Sequence, residues 1–426
     1  MVPRDLRPWP LCFGTLSLRK TIRHLTLSLS KGETVAILAL AAVVMASAAV
    51  AAPSLDIAIG KRLFERNWVS APSSTKSDDG LGPLYDAASC AACHTPAASA
   101  ANDETGLPLG TVIRLGNARG EGDPVYGSQL QRRGVAGQVP EANPQIEWVD
   151  KDGFRIARIS PRELGYGPLS KDTRISLRRA PSLKGAGLLA QVPESEILSH
   201  ADSEDANHDG IAGRAPWLSA NGKRVLGRFG WRATQPDLLS QTATAFSRDI
   251  GLSTRLHPEP WGDCTPAERA CRAGPHGGDK GGPEVADAML DLVAQYVAAL
   301  PPPPAAKPGP GERVFAAVGC AACHLTLHLA NGTPVPAYTD LLLHDMGGEL
   351  SDGMEEGAAG AWFWRTAPLW DVAESLKTGG LLHDGRARDV IEAVQWHGGE
   401  AYTARERFAA LSASDKAALV AFVSGL

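Results

Sequence analysis

Two identical pentapeptides, Cys90-Ala-Ala-Cys93-His94 and Cys320-Ala-Ala-Cys323-His324, constrain this chain more than any other feature. With 7 cysteines and 11 histidines in 426 residues, chance supplies roughly 0.003 such matches. C-x-x-C-H is the pattern of c-type haem attachment. The two thiols add across the two vinyl groups of one porphyrin, and the next residue's imidazole reaches the iron. A zinc site would gather its ligands at one place, whereas these pairs lie 230 residues apart. A redox Cys-x-x-Cys pair has no need of the histidine, still less of two. The expectation is two covalently bound haem c groups, on Cys90 and Cys93 and on Cys320 and Cys323, with His94 and His324 as iron ligands.

Such attachment takes place outside the cytoplasm, and the N-terminus agrees. Basic residues (Arg4, Arg7, Arg19, Lys20, Arg23, Lys31) precede an uncharged stretch over residues 35–52, which contains Ala49-Val50-Ala51. These are the basic, apolar and small-residue parts of a secretory signal, so residues 1–51 read as a signal peptide and the mature protein as periplasmic. An uncleaved anchor is the alternative, and only then would the protein meet a membrane. Without that segment the chain keeps 36 basic and 45 acidic side chains, a net charge of −9. Nothing there suits a nucleic acid. A 44 % hydrophobic content builds packed cores and excludes a disordered chain.

The rest of the sequence is organised around the two motifs. Residues 57–69 and 312–318 read as helices leading into them, and residues 283–300 and 412–426 carry apolar residues at helical spacing as closing helices. Residues 301–311 form a Pro-rich linker. The fold expected is mainly α: a cytochrome c-like domain over 52–300 enlarged by a long loop-rich insertion, the linker, and a second cytochrome c domain over 312–426. Arg179-Ala-Pro181-Ser-Leu183 is echoed by Arg365-Thr-Ala-Pro368-Leu369, as duplicated halves require. Cys264 and Cys271 suit a short-loop disulfide.

With these pieces placed, the chain resembles the di-haem oxidoreductase family of peroxidases, distant relatives of bacterial di-haem cytochrome c peroxidases and of the methylamine-dehydrogenase maturation enzyme. The resemblance spans residues 81–426. Besides both C-A-A-C-H motifs it rests on Asp205-Ala-Asn207-His-Asp209-Gly210-Ile-Ala-Gly213-Arg214 and Gly227-Arg-Phe-Gly-Trp231. It rests also on Leu341-Leu-Leu-His344-Asp345-Met346-Gly347, Leu382-His383-Asp384-Gly385-Arg386-Ala387 and His397-Gly-Gly-Glu400-Ala401.

The resemblance implies a peroxidase that reduces hydrogen peroxide with electrons from a small cytochrome c or cupredoxin. It also implies a distal ligand to the second haem after the Gly385-Arg386-Ala387 element. His397 is the candidate favoured there, with Met346 and His344 as rivals. The matching stretch of the first half, residues 241–249, has no His, Met, Cys or Tyr, which leaves the first haem open. It does hold Gln241 and Asp249, similar to the distal glutamine and carboxylate of such peroxidases. Asp249 departs from their usual glutamate. Trp231 resembles the tryptophan lying between their haems.

Two further elements are ambiguous. Asp205, Asn207 and Asp209 with Gly210 occupy positions 1, 3, 5 and 6 of a calcium loop, but Pro216 stands at position 12. The stretch is a calcium site or an Asx-rich turn. Arg386 is suited to a haem propionate through its planar fork, or to a structural ion pair. An electron-transfer cytochrome without a substrate, and a di-haem oxygenase, remain as alternative functions.

Overall fold

Ser54 begins the first described helix, Leu55–Glu65, by accepting a hydrogen bond from the Ile57 N–H at 3.4 Å. Its buried side, Gly60, Leu63 and Phe64, rests on the helix Asp287–Ala299. A Cβ on Gly60 would fall 2.2 Å from the Leu292 carbonyl oxygen and 2.8 Å from Tyr296 Cβ, so only glycine permits this crossing. The Phe64 ring then meets Tyr296 edge-on at 5.3 Å.

The same device recurs at the second motif. Helix Pro310–Val318, with proline in its first turn, packs on Ala413–Val423. There a Cβ on Gly311 would lie 2.2 Å from the Ala418 oxygen and 2.6 Å from Phe422 Cβ. Phe315 meets Phe422 edge-on at 5.6 Å. In each pair the glycine precedes its phenylalanine by four residues, one helical turn, and the partner supplies an aromatic at the same offset. All four helices anticipated around the motifs are present.

This computed structural model describes residues 54–75, 77–95, 102, 107–151, 153–220, 222–278 and 282–426. The proposed signal peptide and Cys12 lie outside them. Among the described residues no helix is long and apolar enough to cross a membrane.

The expectation of a mainly α fold does not hold. Helix accounts for 29 % and strand for 19 %, the latter in several small sheets, and a layout of two cytochrome c domains does not emerge. Most of the discrepancy lies in what the sequence suggested was loop. Thr111–Gly116 alternates buried and half-buried side chains as a strand does. It pairs antiparallel with Arg174–Arg179 and, on its other edge, with Gln129–Leu130. A hairpin of two nine-residue strands, Asn143–Lys151 with Phe154–Arg162, sets Ile146 opposite Ile159 and Trp148 opposite Ala157. Those four side chains cover a core of Ile113, Leu115, Tyr126 and Leu130. The end of the hairpin reaches Trp396, which Phe154 meets at 4.8 Å. Strands this short form through partners tens of residues away, which local periodicity does not reveal. Cys264 and Cys271 are joined as a disulfide, as expected.

Candidate functional site

Both motifs open onto one cavity of about 940 Å³. Each begins with a single 3-10 turn, Cys90–Ala92 and Cys320–Ala322, that brings its two cysteines to the wall as free thiols. The histidine of each is oriented from behind. His94 Nδ1 donates to the Pro181 carbonyl at 3.1 Å, and His324 Nδ1 to the Tyr338 carbonyl at 2.8 Å. A proton held on Nδ1 leaves the lone pair on Nε2, the arrangement metal-binding histidines use. Burial lowers the pKa of His94 and brings that of His324 down to about 4, keeping both neutral. Phe64 and Phe315, set by the two helix crossings, lie 6.3 and 6.4 Å from these imidazoles.

His397 shares this pattern. It follows the helix Val390–Gln395, lines the cavity, and donates from Nδ1 to the Ala393 carbonyl at 2.7 Å. It acts electrostatically on His324, so the two are neighbours within the cavity. Its rival His344 has no nitrogen left. Asp340 faces Nε2 at 2.8 Å and Glu400 faces Nδ1 at 2.6 Å. Burial opposes the charge, but hydrogen bonds to Asp340, Cys323 and Glu400 push the His344 pKa up to about 12. It is an imidazolium clamped between carboxylates. Met346 does reach the cavity wall.

Gln241 and Asp249 lie on the same wall. Asp237 caps the helix Leu238–Ala245, accepting from the Ser240 N–H at 2.7 Å. The chain then widens into a π-helical turn, Phe246–Ile250, that carries Asp249; such turns concentrate at functional sites. The Asp249 carbonyl accepts from the N–H groups of Asp86 and Ala87 at 2.9 and 3.0 Å, tying the turn to the segment leading into Cys90. Its side chain accepts from Gln129 Nε2 at 2.9 Å. Desolvation pushes the carboxyl up to about 6, in spite of that bond. A carboxyl poised near neutrality can both take and return a proton.

Trp231 also lines the cavity. Its indole N–H donates to the Arg179 carbonyl at 2.7 Å, and its own carbonyl accepts from the Arg365 N–H at 3.2 Å. It is thereby fastened to both repeated segments, at Arg179 and at Arg365.

Arg386, Asp205 and Asn207 stand elsewhere, whereas Asp209 borders the cavity. Arg386 does not border the cavity: its guanidinium pairs with Asp384 at 2.8 Å and lies 4.5 Å over the Trp396 ring. In the Asp205 loop, Asp205 accepts from the Gly210 N–H at 3.1 Å, Asn207 from Asp209 at 2.9 Å and Asp209 from Ile211 at 2.8 Å. Those oxygens close the exposed loop as Asx turns do.

Gln129, Arg114 and Glu356, all on the cavity wall, carry no signal in the sequence. Gln129 sits on a two-residue strand and Glu356 far along the chain, so only the folded structure joins them to Asp249. His383, read from the sequence as a second candidate for a haem propionate or as a structural residue, does border the cavity. It stacks on Trp364 at 3.9 Å, and burial, then Arg178, Arg386 and Arg232, press its pKa well down.

The chemistry of this wall fits haem: free thiols in pairs, each followed by a neutral imidazole with an open Nε2, around a cavity lined largely by apolar side chains. Residues 160–426 match the family described as "Di-haem oxidoreductase, putative peroxidase". Among solved structures, the diheme peroxidase BthA from Burkholderia thailandensis is similar at 15 % identity and a TM-score of 0.37, over 88 % of this chain and 87 % of that one. No curated protein matches. With more than half of its length matched, the chain belongs to the di-haem oxidoreductase family.

Proposed function

We propose that the protein is an exported, periplasmic di-haem c-type peroxidase that reduces hydrogen peroxide to water with electrons from a small cytochrome c or cupredoxin. One observation carries the reading: a single cavity is bordered by two Cys-x-x-Cys-His motifs, and its wall holds Asp249, a carboxyl brought to about 6.

In this reading Cys90 and Cys93 would hold one haem by thioether bonds, and His94 would offer Nε2 to its iron. Cys320, Cys323, His324 and His397 would hold the other. Bound at these positions, the haems would supply the two electrons that O–O cleavage consumes. The protein's own groups do the rest. Asp249 takes a proton from one peroxide oxygen and delivers it to the other, which leaves as water; the oxygen left behind becomes the second water with the two electrons and two protons from solvent. Gln241 donates a hydrogen bond that orients the peroxide. Gln129 fixes the carboxyl of Asp249 and holds its proton affinity within working range. Trp231, fastened to both repeated segments, offers an oxidisable ring between the halves.

The test is peroxide consumption by the holoprotein with a reduced cytochrome c as donor. Asp249→Asn should lower turnover by about 10²- to 10⁴-fold, as loss of a general acid–base does, while haem content stays the same. Unchanged turnover in that variant overturns the assignment.

A further inference from the structure

Gln129 bridges two carboxyl groups, of which Asp249 borders the cavity and Asp86 does not. Its Nε2 donates to Asp249 Oδ1 at 2.9 Å and to Asp86 Oδ2 at 3.0 Å, and lies 3.2 Å from the Arg248 carbonyl. Its Oε1 accepts from Arg114 Nη1 at 3.3 Å. Asp86 is withdrawn from water, its side chain 0 % exposed. The other oxygen of Asp86 accepts from Arg132 Nε at 2.8 Å, and its backbone carbonyl accepts from Arg133. Arg132 is fixed in turn, donating from Nη2 to the Thr111 carbonyl at 2.8 Å.

An amide has two ends and a carboxyl has two forms. As a carboxylate, Asp249 takes an N–H from Gln129. As an acid, it would gain more from the amide turned about, with Oε1 accepting its O–H. That turn would set Oε1 against the Asp86 carboxylate and Nε2 against the Arg114 guanidinium, acceptor on acceptor and donor on donor in a buried place.

We propose that Asp86 is a positioning residue for Asp249, acting through Gln129: with Arg114 at the other end, it locks the amide so that Asp249 meets a donor whether or not it carries a proton. The proton is then not retained by the amide and is free for an oxygen in the cavity. This consequence rests on the peroxidase reading, whereas the lock is tested without turnover. Charge acts beside the lock. Asp86 raises the proton affinity of Asp249, and Arg114 and Arg248 lower it. The Cys90 and Cys93 sulfurs also face Asp249 and carry no charge once joined to haem.

The experiment is a pH titration of the Asp249 carboxyl in the holoprotein by infrared spectroscopy, its band assigned by loss in Asp249→Asn. A double-mutant cycle separates charge from lock. In a Gln129→Leu background, Asp86→Asn removes a negative charge alone, and the midpoint should fall. With Gln129 present, the asparagine gives its one oxygen to Arg132 and turns its N–H groups towards Gln129, which reverses the amide and lets it hold the Asp249 proton. The fall should then be smaller by about half a pH unit or more, or give way to a rise. Equal falls in the two backgrounds overturn the proposal and leave Asp86 acting by charge alone. Should Asp86→Asn fail to fold, the wild type decides. Its Gln129 amide bands, assigned by loss in Gln129→Leu, should keep one orientation on both sides of the midpoint, and an amide that turns with the proton overturns the lock. A locked amide together with turnover indifferent to Asp249→Asn would uphold the lock and overturn the peroxidase assignment.

Discussion

Gln129 Nε2 stands 2.9 Å from Asp249 Oδ1, which makes a residue on a two-residue strand the immediate regulator of the candidate proton carrier. Desolvation raises the carboxyl to about 6 and the bond from Gln129 opposes the rise. The carboxylate is the form that takes a proton, so turnover should climb as pH passes through about 6. One unit below that point roughly a tenth of the plateau remains. Gln129→Leu removes the restraint and should move the midpoint to higher pH. Asp249→Asn should abolish the limb altogether. Steady-state peroxide reduction between pH 4.5 and 8 checks all three.

His397 and His344 are neighbours in sequence reasoning and opposites in the structure. His397→Gly should open the second haem, seen as a new high-spin signal and as cyanide binding there. His397→Met should instead raise that haem's potential, since a Met/His iron lies above a His/His one. Redox titration of each variant distinguishes the outcomes.

His344→Gln should leave every axial ligand in place and destabilise the fold by about 3–5 kcal/mol, because it strands Asp340 and Glu400 without their cation. The sign of the pH effect follows from a folded pKa raised above the ordinary 6.5. The stabilisation is complete below that value and declines as pH rises towards the folded one. Denaturant unfolding from pH 6 to 10 should show a decline in the wild type that the variant lacks.

Gly60→Ala and Gly311→Ala each drive a methyl into a carbonyl oxygen 2.2 Å away. Separation of the paired helices should cost about 1–3 kcal/mol in each case. It should also shift Phe64 or Phe315 from the adjacent imidazole, so that each variant perturbs the spectrum of its own haem only. Chemical denaturation and visible spectroscopy measure the two effects.

What the sequence revealed was chemistry fixed by contiguous residues. The two pentapeptides, a helix before the first (expected over 57–69, found over Leu55–Glu65) and His397 could all be found by counting along the chain. The strand of residues 111–116 could not, because Ile113 finds Leu177 only through tertiary pairing. Arg386 departs from the expected propionate for a local reason. Its fork was recognised correctly, but the carboxylate it holds is Asp384, two residues away. The clamp on His344 escaped because Glu400 lies 56 residues further on.

The central claim is that two haems occupy this cavity with different axial sets, one iron open on the Asp249 side and one closed by His397. Electron paramagnetic resonance of the oxidised and half-reduced holoprotein tests it most directly. One high-spin and one low-spin ferric centre in equal amounts is the result predicted. Two low-spin centres in both states would contradict it and leave the protein an electron carrier.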